Sequence, residues 1–198
     1  MAIKRKTQMQ ENVFDGISAL YAVAGGFEGT GGVYDLSNAV ELPVSESGGV
    51  NINGGSPSTT QFRVHGLTAP WTSHITPGDV ELTLQVPTYD EAVLNLVYGI
   101  ASSSTTVAVK NIPAGAEGTK KLSGKGFGWP QKAVNLGLLI VNDTEDAALF
   151  IKKAKLLASP EFNGEDTPFV VNLTGTVASA ADPESLAILN EEIDSSGN

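Results

Sequence analysis

The sequence predicts a mainly β protein with one flanking α-helix, and three observations carry that expectation. Residues 79–86 alternate strictly between polar and apolar. Short β-branched and aromatic runs, bounded by Gly, Pro, Asn and Asp, recur along the chain. One stretch, 89–98, combines helical periodicity with matched end signals. Twenty-two glycines in 198 residues favour many turns over long helices.

The first strand is expected at 16–24 (Gly-Ile-Ser-Ala-Leu-Tyr-Ala-Val-Ala), stopped by the glycine-rich run Gly25-Gly26-Phe27-Glu28-Gly29-Thr30-Gly31-Gly32. Weaker strands are expected near 33–44 and 48–53, and an alternating one at 59–66. In 79–86, Val80, Leu82, Leu84 and Val86 share one face, and Asp79, Glu81, Thr83 and Gln85 share the other. That period of two places one face on a core and leaves the other wet.

The helix over 89–98 is expected to start in a capping box, with Thr88 as cap and Glu91 reaching back to it. Asp90 and Glu91 favour the positive end of its dipole. Val93, Leu96, Val97 and Ile100 form its apolar face, and Gly99 is placed to end it in a left-handed turn. Residues 105–112 and 120–127 read as the two arms of a polar hairpin or loop. Two long strands at 133–141 and 147–157 flank the turn Asn142-Asp-Thr-Glu-Asp146. A last strand is expected at 169–178, then a short helix within 182–193 capped by Asp182, with Pro183 at its first position. The whole chain reads as one domain: an arm over 1–12, a β body over 13–180 and an acidic tail over 181–198.

The net charge of −10 argues against gripping nucleic acid through its phosphates, which needs clustered Lys and Arg. The charge is also polar along the chain. Lys4, Arg5 and Lys6 open it, Arg63 stands alone before Lys110, and no basic residue follows Lys155, whereas eight acidic ones do. Such asymmetry can set opposite charges on facing surfaces of neighbouring copies. With no cysteine there is no disulfide framework or thiolate chemistry. The basic start is not followed by the apolar stretch of a secretion signal, and no apolar run is long enough for a membrane span, so a non-secreted chain without membrane partners is expected.

Chemistry-bearing motifs are sparse. His65 and His74, the two histidines, lack the helical spacing of a metal pair. No Gly-x-Ser-x-Gly elbow occurs. The runs at Gly26–Gly31 and Gly115–Lys120 do not have the spacing of phosphate-binding loops. Asn142–Asp146 lacks the glycine and distal glutamate of a calcium loop. Asn172-Leu-Thr174 matches a glycosylation sequon but falls within an expected strand. The expectation is a protein that is not an enzyme and has no cofactor, catalytic residue or metal site.

The order of these elements resembles the major tail (tail tube) proteins of long-tailed bacteriophages. Gly16-Ile-Ser-Ala-Leu-Tyr-Ala and the alternating strand Asp79–Val86 lead into Pro87-Thr-Tyr-Asp-Glu-Ala-Val-Leu. Val134–Asn142, Phe150–Leu156 and Pro168–Thr176, which carries Leu-Thr-Gly-Thr, follow in the family's order. The likeness spans about residues 14–180; Thr105–Trp129 matches none of its patterns and reads as an insertion or as the loop such proteins use to reach the next ring. It implies a β-sandwich or barrel with extended loops and terminal arms. It further implies rings, usually hexamers, stacked into the tube through which DNA is ejected. The partners implied are other copies, tape measure and terminator proteins, and DNA in transit without specific binding. The location implied is the virion tail, after synthesis in the host bacterial cytoplasm. On that reading Asp79, Glu81, Thr83 and Gln85 are candidates to line the lumen. Lys4, Arg5, Lys6, Gly25, Gly26, Gly29 and Gly31 are candidates for inter-ring contact. The alternatives are a type VI secretion tube protein, or a non-catalytic carbohydrate-binding or adhesin β-sandwich using Trp71 and Trp129.

Overall fold

The computed structural model describes residues 14, 16–28, 34–45, 49–66, 68–88, 90–99, 132–162, 164, 168–178 and 185–190, and the backbone path of 103–110 and 119–126. The fold is mainly β, with antiparallel sheets and, among the described residues, one helix.

The main sheet runs β2 (Val40–Glu41), β1 (Ala19–Ala24), β9 (Val134–Val141), β10 (Ala147–Glu161), β11 (Val170–Val177), β6 (Val80–Val86), β3 (Val50–Gly54), with β12 (Leu186–Asn190) also on β10. Laid flat, strands roughly 4.8 Å apart would hold β2 and β3 about 30 Å from each other. The sheet curls instead. Leu20 and Leu42 from one end meet Leu82 and Leu84 from the other in a single buried core. The link between the edge strands is tied to both ends: Leu42 N–H donates to the Leu20 carbonyl (2.7 Å), and Gln85 N–H to the Gly49 carbonyl (2.8 Å).

The β9–β10 hairpin forms as expected, and β10 runs on to Glu161. Proline is tolerated at 160 because β9 no longer pairs there, so that side of the strand needs no N–H. A one-residue bulge sets Lys152 and Lys153 together against Gly137. It frees backbone groups that other segments satisfy: Phe27 N–H donates to the Lys152 carbonyl (2.9 Å), Lys152 N–H to the Ser185 carbonyl (3.1 Å), and Ala178 N–H to the Lys153 carbonyl (2.8 Å). Phe27 then lies over Gly137, where a Cβ would stand 2.6 Å from its ring. It meets Tyr34 edge-to-face and Phe150 at a tilt on the outside of the sheet, and the three ring centroids are 4.7–6.0 Å apart.

The helix α1 (Glu91–Tyr98) packs against β10, and Gly99 (φ 61°) ends it, donating to the Asn95 carbonyl as expected. Its start departs from the capping-box expectation. Asp90, not Thr88, is the cap, its carboxylate accepting from Ala92 N–H (2.9 Å) and Val93 N–H (3.3 Å). Thr88 accepts from Asp90 N–H, one step outside the helix. The buried face is Val93, Leu94, Val97 and Tyr98, with Leu96 half-buried; Ile100 lies outside the described residues.

Other boundaries shift as well. Among the described residues of 33–44, only Val40–Glu41 pairs as a strand. The strand expected over 59–66 is β4 (Ser58–Phe62), and it pairs with β5 (Thr72–Thr76), which alternation does not reveal. The polar hairpin exists as β7 (Ser103–Lys110) with β8 (Thr119–Gly126). The strand at 170–177 is not the last. Within the span expected to be helical, Leu186–Asn190 is β12, because the first half of β10 offers it an open edge. Residues 181–184 and 191–198 of the tail lie outside the described residues.

Candidate assembly surface

Two surfaces stand out once the core is assigned. The first is the polar outer face of β6 and its neighbours. Glu81 lies between Asn53 on β3 and Thr176 on β11, Thr83 between Asn51 and Thr174, and Gln85 beside Asn172. Glu81 is exposed, whereas Thr83 and Gln85 are half-buried. These positions carry one carboxylate and no basic residue. Asp79 shares their parity but precedes the strand, exposed, with its carbonyl accepting from Gly55 N–H (2.8 Å). At the outer margin the Asn172 amide donates to Glu161, and Asn172 Oδ1 is buried without a partner.

The second surface is an arm. β3 and β6 lead, through Gly54-Gly55-Ser56-Pro57 on one side and Pro77-Gly78-Asp79 on the other, into the β4–β5 hairpin. Prolines cannot donate to a ladder, so pairing breaks at this neck and resumes beyond it. Every residue of β4 and β5 is exposed, and among the described residues these strands pair only with each other. Phe62 is 57%, Val64 46%, Trp71 74% and Ile75 62% exposed. The register sets Phe62 on the face of Thr60, Thr72 and His74, and Ile75 on the opposite face with Thr59, Gln61 and Ser73. Both faces of the hairpin are therefore apolar in part.

Of the inter-ring candidates, Lys4, Arg5, Lys6, Gly29 and Gly31 lie outside the described residues. Gly25 (φ 85°) is exposed, and Gly26 (φ 105°) is buried against the Lys152–Lys153 bulge of the same chain. His74 sits in β5 and His65 near the hairpin tip, and no group of His, Asp or Glu among the described residues is placed to hold a metal. Trp129 lies outside the described residues. No described helix is long and apolar enough to cross a membrane.

Two carboxylates titrate low. Asp35 is held down by the backbone N–H and hydroxyl of Ser37, and Asp146 by the Thr144 hydroxyl and then the Asn142 amide. Both fasten turns. The exposed apolar arm escapes sequence reasoning because Thr72-Ser-His-Ile-Thr76 has no alternation. The one signal was the pair of Gly/Pro clusters bracketing 58–76.

No model of a known protein family matches this chain, and no curated protein matches it.

Proposed function

We propose that this chain is a structural subunit, not an enzyme, that assembles as stacked rings into the tail tube of a long-tailed bacteriophage. The observation that carries the reading is the β4–β5 hairpin. It stands off the core with Phe62, Val64, Trp71 and Ile75 exposed, a surface that needs a partner. The curled β sheet with one covering helix also supports it. So does the charge: a ring of copies at −10 each repels DNA from its wall, so duplex passes without binding. On this reading the Glu81 face lines the pore and the product is found in virion tails.

Light scattering and negative-stain microscopy of the purified protein test it. Rings or tubes are expected. A protein that stays monomeric at high concentration and is missing from purified virions overturns it. One observation favours a second reading: the 74% exposure of Trp71 suits a monomeric carbohydrate-binding module. That reading requires glycan binding by monomers, lost on Trp71→Ala. A type VI secretion tube would assemble likewise, and neighbouring genes for a tape measure or terminator separate it from the phage reading.

A further inference from the structure

The hairpin raises a question that ring assembly alone leaves open, namely what covers it. Its two faces each carry a large exposed apolar side chain, Phe62 on one and Ile75 on the other. One flat docking surface can bury only one of them.

The same chain offers a matching surface. A groove of about 500 Å3 opens between the start of β1 and the edge strand β3, lined by Phe14, Ile17, Val44, Val50, Ile52 and Leu149. Carboxylates stand near it. Asp143 lies against Gly16 of its lining, and Glu145, two residues on, accepts from the hydroxyl of Ser18, next to the lining residue Ile17 (3.1 Å). Residues 58–76, by contrast, hold no acidic residue and one permanent cation, Arg63. Arg63 donates to the Gln61 side chain (3.2 Å), which places it beside the face that carries Ile75. An apolar, cationic face on the arm thus complements an apolar groove flanked by carboxylates. Arm and groove lie on different parts of the surface, so the contact is head-to-tail and propagates from copy to copy.

Resting on the tube reading, we propose that each β4–β5 hairpin is clamped between two other copies. One copy takes the Ile75–Arg63 face into the groove under Asp143 and Glu145, and another covers Phe62.

The absence of native cysteine makes the contact directly testable. Copies carrying Trp71→Cys are mixed with copies carrying Val44→Cys and oxidised at assembly concentration. Cross-linked dimers are expected only when both are present. Arg63→Glu should raise the concentration needed for assembly at least tenfold, and Asp143→Lys with Glu145→Lys should restore it. Phe62→Ser should impair assembly by a similar factor. Urea midpoints control for folding, since Phe62, Arg63 and Trp71 are exposed.

Tubes that form normally with Arg63→Glu and without the 44–71 cross-link overturn the inference while the tube reading stands. Cross-linked dimers without tubes uphold the pairing and overturn the tube reading. Normal assembly of Phe62→Ser refutes the two-sided clamp. Residues 1–13 precede the groove-lining Phe14, so a Val44→Cys cross-link to Ile3→Cys in the same copy, in place of 71, refutes the hairpin as occupant.

Discussion

Gly55 and Gly78 face each other across the neck of the arm so closely that a Cβ on Gly78 would stand 2.8 Å from the Gly55 Cα and overlap its carbonyl. The obstructing atoms are backbone, so neither side can yield by changing a rotamer. The neck therefore fixes how the hairpin leaves the body.

Gly78→Ala is expected to force the neck open, at a cost of roughly 1–3 kcal/mol as for other overpacked sites. The change should be local. Amide exchange of Thr72–Thr76 should rise while that of β9 and β10 is unaltered, and assembly should suffer more than the urea midpoint. Equal loss of protection across the whole sheet would show that the neck is part of the core rather than a mount for the arm.

The helix start gives a paired comparison. Asp90→Ala removes the acceptor for two free N–H groups and should cost about 1 kcal/mol in urea denaturation. Thr88→Ala, which loses a bond outside the helix, should cost less than half of that. The reverse order would restore Thr88 as the cap.

The β9–β10 turn should respond to acid. Asn142, 1% exposed, donates to Thr144 and Asp146 (2.7 Å each) and accepts from Ala147 N–H (3.0 Å). Because these partners favour the ionised form, Asp146 titrates below its ordinary 3.8. A carboxylate depressed in the folded state adds stability that is full above the unfolded value and lost as pH falls through the folded one. The turn should therefore loosen below pH 3.8, seen as a shift of the Ala147 amide resonance. Asp146→Asn should abolish that dependence. Asn142→Ala, which leaves the Ala147 N–H without its acceptor, should cost about 1–3 kcal/mol at neutral pH.

Glu81→Lys tests the proposed pore wall. The side chain is exposed between Asn53 and Thr176, so stability should change by no more than about 0.5 kcal/mol. Duplex DNA carries a charge about every 1.7 Å, and exposed charges act over about 8 Å at physiological salt. Virions bearing both Asp79→Lys and Glu81→Lys should eject DNA slowly. An unchanged ejection rate would remove this strand from the lumen.

The elements whose causes are local were legible in the order of the residues. Strict alternation marked Val80–Val86 and its buried face, a polar five-residue turn marked the β9–β10 hairpin, and Gly99 marked the end of α1. Each needs only a side-chain period or a backbone conformation, both written into neighbouring residues. The other features depended on partners distant in the chain. Leu186–Asn190 became a strand because β10 has a free edge there, although its own residues suit a helix. Phe27, Tyr34 and Phe150 became a cluster because Gly137 leaves room above the sheet. The apolar arm is set off from the body at the neck, where pairing breaks and two glycines more than 20 residues apart in sequence come into contact. No local pattern encodes that meeting, because its energy appears only when the backbone of the second strand arrives.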